Sequence, residues 1–279
     1  MSGVKMDAGR PRIFVGLFGL NRSLRWTLKS IRRNIFAPLA RAGVDVVAAA
    51  HFNMPPVIHN IHSGETGVRH TNAGWPGLDV SALLMEDQSA ETIPAEIRPW
   101  MGEVLSDDTP KIAQTRANLI YQLHSLRRLW ILAGLLDRDR FDAFLLIRPD
   151  MEYLDPLDID HVLDRIVGHG VDLITPSWSE WSGLNDRFAF CSPRGAAVYA
   201  DRLFAVDGFC RRHGWLQAES LLKDVAEAAE LKRETTPMRA LRVRANGATW
   251  REPFPMTPYQ HLRALARKRL VRAGLPSLP

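Results

Sequence analysis

Cysteine is almost absent from this chain: 279 residues carry two, Cys191 and Cys210. Two thiols cannot form a disulfide framework and these lack metal-ligand spacing, so they read as buried structural thiols in a reducing compartment. No stretch approaches the roughly 18 apolar residues of a membrane span, and residues 1–12 are polar, without the apolar core of a secretory signal. A cytoplasmic location is therefore expected. No repeat recurs at a fixed period. No Gly-x-Gly-x-x-Gly follows the first apolar strand, which counts against a dinucleotide-binding dehydrogenase or a methyltransferase of that type. His51, His59, His62 and His70 offer no pair at helical metal spacing and no evident fourth ligand, which leaves little basis for zinc.

What is present is ordinary for a globular protein: 46% hydrophobic and 24% charged residues, in a length that can bury a full core. The balance of 36 Lys and Arg against 31 Asp and Glu gives a formal charge of +5. Such a mild surplus suits a small anionic ligand, and no nucleic-acid partner is expected. Its distribution is uneven. The end of the chain carries Arg263, Arg267, Lys268, Arg269 and Arg272 among Leu262, Leu265, Leu270 and Val271, with no acid. A basic amphipathic helix of that pattern suits peripheral contact with an anionic membrane at its inner face, and it equally suits a solvated terminal helix. The expected division is a flexible N-terminus over 1–11, one α/β domain over 12–259 and a basic tail over 260–279.

Along the chain, Arg12 to Gly19 reads as an opening strand whose closing glycine permits a sharp turn. Leu24, Leu28, Ile31, Ile35 and Leu39 then fall near helical spacing, and Val44 to Phe52 is a second apolar strand. A βαβ opening implies a parallel sheet with helices on its faces. Residues 53–75, rich in proline, glycine and histidine, read as a long irregular loop. Thr109-Pro110 supplies an N-cap and a first-turn proline for a long helix that ends before Asp137. Further helices are expected near 157–167, 195–206 and 215–230, and strands at 171–175, 187–192 and 240–245. The fold class is α/β, with a mixed, mostly parallel central sheet flanked by helices.

The feature that points to chemistry is a strand that stops on charge. The apolar run Phe141 to Ile147 ends in Arg148-Pro149-Asp150. In open α/β sheets, ligands bind beyond the carboxyl ends of such strands, so Asp150 stands where a substrate can reach it. Farther on, Gly183-Leu184-Asn185-Asp186-Arg187 forms a polar turn that leads into a second apolar stretch. Together they suggest a site for a nucleotide sugar, whose leaving diphosphate needs basic residues, a helix N-terminus or a carboxylate-held divalent metal.

Three motifs carry a family resemblance: Gly19-Leu20-Asn21-Arg22-Ser23 after the first strand, Arg148-Pro149-Asp150 with the Gly183–Ala189 turn, and Gln217-Ala218-Glu219-x-x-Leu222. Over residues 12–246 the chain resembles bacterial glycosyltransferases of the GT-A type associated with surface polysaccharides. The resemblance implies a GT-A-like, Rossmann-like domain that moves a sugar from a nucleotide diphosphate to a glycan or lipid-linked acceptor. It implies Gly19, Arg22, Arg25, Arg148 and Asp150 at the donor nucleotide, with Asp150 also a candidate ligand for manganese or magnesium and Glu152 a possible second. Asn185, Asp186 and Arg187 would face the sugar or acceptor. Asp186 and Glu219 are the candidate catalytic groups, and Trp178 and Trp181 could stack on sugar. Such enzymes commonly carry Asp-x-Asp at a strand end. Here Asp137-Arg138-Asp139 precedes its strand, and Asp158-Ile159-Asp160 begins a helix, where acids are favoured by the dipole alone. Neither stands where a metal would be held.

Structural roles compete with each of these. Arg148 and Asp150 could simply pair at a sheet edge, Asp186-Arg187 could be an ordinary turn, Glu219 a solvated helix acid, and the tryptophans core packing. Among other activities, sulfuryl transfer from an adenosine bisphosphate donor also uses a strand, a glycine-bearing loop and Arg-Ser before a helix, though Leu24-Arg25-Trp26 is bulky for a phosphate cradle. A catalytically inactive domain that binds a glycan or a partner is the remaining alternative.

Overall fold

Strand β1 (Arg12–Leu20) is the axis of the molecule, and seven of its nine residues in succession are buried. The computed structural model describes residues 10–61, 64–71, 74–102, 104–105, 108–250 and 252–254. Residues 1–9 of the expected flexible N-terminus, His62 and the basic tail over 260–279 lie outside the described residues.

A strand buried throughout must be covered on both faces. On one side, Ile13, Val15 and Leu17 pack with Leu24, Ile31, Ile35 and Leu39. Those come from α1 (Leu24–Ile31) and α2 (Ala37–Ala42), joined through a π-type turn and ended by Gly43 in the left-handed region. On the other side, Phe14 and Phe18 meet Leu126, Leu129, Trp130 and Ala133 of α3 (Pro110–Leu135). The fit is close enough that a Cβ on Gly16 would lie 2.5 Å from Leu129 Cδ2. The Thr109 hydroxyl accepts the Ile112 amide at 3.3 Å, and Pro110 opens the helix, as the sequence leads one to expect.

β1 lies third from the β5 edge of a seven-stranded sheet, between β2 (Asp45–Met54) and β6 (Ala143–Ile147). Outside β2 is β5 (Ala82–Asp87), and outside β6 are β9 (Phe188–Cys191), β8 (Leu173–Pro176) and β10 (Arg233–Thr236). The pairings β1–β2, β1–β6, β2–β5 and β8–β10 are parallel. Only β9 runs against its neighbours. This is the α/β class with a mixed, mostly parallel sheet.

Beyond the end of β6 the chain turns at once into β7 (Met151–Tyr153), which joins β11 (Ala240–Val243) and β12 (Thr249–Trp250) in a small antiparallel sheet. Residues 53–75 are not wholly irregular, because β3 (Val57–Asn60) and β4 (Glu65–Arg69) form a bulged hairpin. Helices α4 (Ile159–Leu163), α5 (Pro193–Asp201), α6 (Val206–His213) and α7 (Ala218–Ala228) complete the layers. Cys191 and Cys210 are buried free thiols. Among the described residues, no helix is long and apolar enough to cross a membrane.

Candidate functional site

The carboxyl ends of β1, β2 and β6 open onto a cleft of about 440 Å³. Because β9 is reversed, its first residues arrive at the edge where the parallel strands leave, which brings Asp186 and Arg187 beside Arg148. The first turn of α7 contributes Glu219, and β11 contributes Arg242. Six residues expected at the site, Arg22, Arg148, Asp150, Asp186, Arg187 and Glu219, therefore line one cavity.

Asp150 is the anionic hub and is 2% exposed. Arg148 donates to Oδ1 from Nε and to Oδ2 from Nη2, each at 2.9 Å, and Arg22 donates to Oδ2 from Nη2 at 2.7 Å. Burial by itself would raise the carboxyl, but these two guanidiniums outweigh it and hold Asp150 far below the usual carboxylate range. The pairing expected of a simple strand end is real, and it occurs on the wall of the cleft. Arg22 also donates to Glu65 of the hairpin at 2.8 Å, which ties β4 to the site.

Asp186 and Glu219 diverge in character. Asp186 accepts from Gln122 at 2.9 Å and lies 3.7 Å from Arg202, a wholly buried cation stacked on Tyr199. Its burial is offset by Arg202, Arg148 and Arg187, so it stays ionised, below its ordinary value. Glu219 has Arg187 at ion-pair distance, 3.6 Å, with the Arg242 charge also acting on it. Burial, reinforced by the negative charge of Asp186, pushes Glu219 up to about 7. A pair of carboxyls pushed apart in this way marks one fixed anion and one group able to exchange a proton near neutral pH.

Arg242 is the cleft residue that sequence reasoning missed. It sits on a strand that was legible, but one arginine in Ala-Leu-Arg-Val carries no motif. Its Nε is buried with no hydrogen-bond partner, whereas Arg22, Arg148 and Arg187 all have carboxylates. Burial and the nearby Arg187, Arg148 and Arg22 charges depress it well below the ordinary arginine value, and Asp150 only partly compensates.

Other expected residues lie elsewhere. Trp178 is 2% exposed and packs with Phe188 and Phe254, its indole N–H donating to the Met238 carbonyl at 2.9 Å. It is a core residue rather than a sugar platform. Trp181 is 59% exposed on the outer surface with φ +44, off the cleft. Asn185 is fully buried; its amide donates to the Trp178 carbonyl and its oxygen accepts the Arg187 amide at 2.9 Å. Its work is to fix the turn that aims Arg187. Arg25 is exposed, stacked on Trp26 and bonded to the Ala245 carbonyl. Gly19, at φ +109, gives its amide to the Ser125 hydroxyl at 2.7 Å rather than to the cleft.

That hydroxyl belongs to a buried chain. His51 reaches Ser125 at 2.8 Å through Nδ1 and Glu86 at 3.0 Å through Nε2. With Nε2–H given to Glu86, the single Ser125 O–H is shared between Nδ1 and the His51 carbonyl, which lies 2.9 Å away. Burial, only partly opposed by Glu86, lowers His51 to about 4. The order Ser-His-Glu is that of a hydrolase relay, but Ser125 is 0% exposed and reaches no solvent.

Asp150 does not fit a divalent cation. Both of its oxygens accept from guanidiniums, and Arg242 adds a further positive charge nearby. Among the described residues, no group of three His, Cys, Asp or Glu side chains could hold a metal ion.

No family model matches this chain, and no curated protein matches its sequence.

Proposed function

We propose that the protein is a glycosyltransferase of the GT-A type that moves a sugar from a nucleoside diphosphate to a glycan or lipid-linked acceptor in surface-polysaccharide synthesis. The observation that carries this reading is the meeting, in one cleft at the sheet's carboxyl edge, of a carboxyl poised near 7 with four guanidiniums. The mixed, mostly parallel sheet supports it as well. Glu219 takes the proton of the acceptor hydroxyl as its oxygen attacks the anomeric carbon. The bond from that carbon to the diphosphate breaks, the electron pair leaves with the diphosphate, and the arginines receive the charge. A base on the acceptor suits direct displacement with inversion. Asp186, held ionised and bonded to Gln122, keeps Arg187 and Arg148 in place.

Sulfuryl transfer is less well supported. A phosphate cradle after β1 needs convergent free amides, yet the Gly19 amide is bonded to Ser125 and the Arg22 amide to the Leu20 carbonyl.

Thermal shift with UDP, GDP and adenosine 3′,5′-bisphosphate tests the choice. Stabilisation by a nucleoside diphosphate is expected; stabilisation by the adenosine bisphosphate alone would replace glycosyl with sulfuryl transfer. Stabilisation by none of them, with glycans still bound, would leave a non-catalytic binding domain.

A further inference from the structure

We infer that the ligand's diphosphate is bound directly by arginine, with Arg242 as its principal contact, and that no divalent cation bridges it to the protein. The inference rests on the donor reading above and says how that donor is held.

Four cleft guanidiniums face three carboxyls, and the pairing among them is unequal. Arg148 and Arg22 spend their donors on Asp150, and Arg148 further on Gln122. Arg187 lies 3.3 Å from Glu252 and 3.6 Å from Glu219. Arg242 alone of the four makes no ion pair among the described residues, and its Nε has no partner. A half-buried guanidinium with a sealed Nε and no anion is costly, and the chemical complement of its planar fork is a phosphate or carboxylate held by two parallel hydrogen bonds. The strand fixes where it stands. On β11, Arg242 pairs with Met151, the residue that follows Asp150, so its side chain rises beside the hub at the end of β6.

A metal ion in the same place would need anionic ligands with free lone pairs. Both oxygens of Asp150 already accept from arginine, Oδ1 from Arg148 and Oδ2 from Arg22 and Arg148 together, and a divalent ion would add two positive charges among four guanidiniums. The diphosphate itself, carrying two to three negative charges, reverses that balance. Neutralisation by fixed arginines thus replaces the metal and requires no loading step.

Titration calorimetry on the full chain with UDP, GDP and inorganic pyrophosphate, in EDTA and then in manganese, tests this. We expect dissociation constants that agree within about twofold between the two conditions, and at least tenfold weaker binding to Arg242→Gln, with Arg242→Lys intermediate. The tenfold figure matches loss of a hydrogen bond to a charged group. Binding that appears only with manganese would overturn the inference using wild-type protein alone, whether or not the variants fold. So would Arg242→Gln binding as the parent does. Pyrophosphate bound in EDTA with both nucleotides rejected would sustain the arginine site and remove the nucleotide-sugar donor instead. Rejection of all three probes would remove both.

Discussion

Gly183 lies against the backbone of Glu219: a Cβ built on it would overlap the Glu219 carbonyl and stand 2.5 Å from the Ser220 amide. The next residue, Leu184, donates its amide to that carbonyl at 2.9 Å. The turn that begins the Gly-Leu-Asn-Asp-Arg motif therefore seats the helix end that carries the proposed base. Gly183→Ala should push the first turn of α7 away, since the obstruction is backbone. We expect transfer to fall at least tenfold, as misplacement of about 1 Å commonly does, while UDP or GDP affinity stays within about twofold. Equal loss of both would mean the turn supports the whole cleft.

Glu219→Gln removes the proton acceptor and keeps the shape. Transfer by the parent should rise with pH through about 7 as the carboxyl ionises. The variant should lose on the order of 10²-fold or more in kcat, together with that pH dependence. The raised value also acts on folding. Stability from the neutral carboxyl is complete below the ordinary value of 4.5 and is lost as pH rises through about 7. Chemical denaturation across that window should therefore show a smaller decline in Glu219→Gln.

Asp150→Asn strips the hub from Arg22 and Arg148. Removing one partner of a buried ion pair costs about 3–5 kcal/mol, so the melting temperature should drop sharply. With the two arginines freed, pyrophosphate should restore more stability to the variant than it adds to the parent. A variant that no longer responds to pyrophosphate would mark Asp150 as a direct ligand-binding group.

Arg242→Gln should trade in the other direction. Relieving an unpaired, half-buried charge flanked by like charges should stabilise the ligand-free protein by about 1 kcal/mol. Differential scanning calorimetry without phosphate in the buffer measures it. A destabilised variant would show that the guanidinium is well satisfied in the free protein.

His51 sets the acid limit. Its value is lowered, so the stability of the neutral ring is complete above 6.5 and is lost as pH falls through about 4. His51→Gln should flatten the acid limb of a stability–pH curve between those values, at some cost in stability at pH 7 from the changed bonds to Ser125 and Glu86.

The strands buried on both faces, β1, β2 and β6, were legible because their apolar runs are unbroken, and α3 because Thr109 and Pro110 announce it. β10, with sequence Arg-Glu-Thr-Thr, and β7, three residues long, were not, because edge and satellite strands carry no hydrophobic period. The hairpin β3–β4 was hidden for the same reason, its composition being that of a loop. Asp150 could be read from its position at a strand end, whereas Glu219 entered through the Gln217-Ala218-Glu219-x-x-Leu222 motif. Trp178 and Asn185 were assigned to ligand although they serve the core and the turn. Sequence shows that an aromatic or an amide is near the site, but not which way its chain turns, and here three positive φ values at Ser179, Trp181 and Ser182 decide that. Arg242 was invisible because what singles it out is the absence of a partner.

The reversed strand has a kinetic consequence. Ile147 pairs with Phe188, so the ladder between β6 and β9 holds Arg148 and Arg187 side by side at its end. Sheet hydrogen bonds thus resist the mutual repulsion of the two cations, and the cationic wall stands ready before any ligand arrives. Capture of an anion then requires encounter and little rearrangement. Association should be fast, governed by long-range attraction, and should slow steeply as added salt shortens the reach of the field.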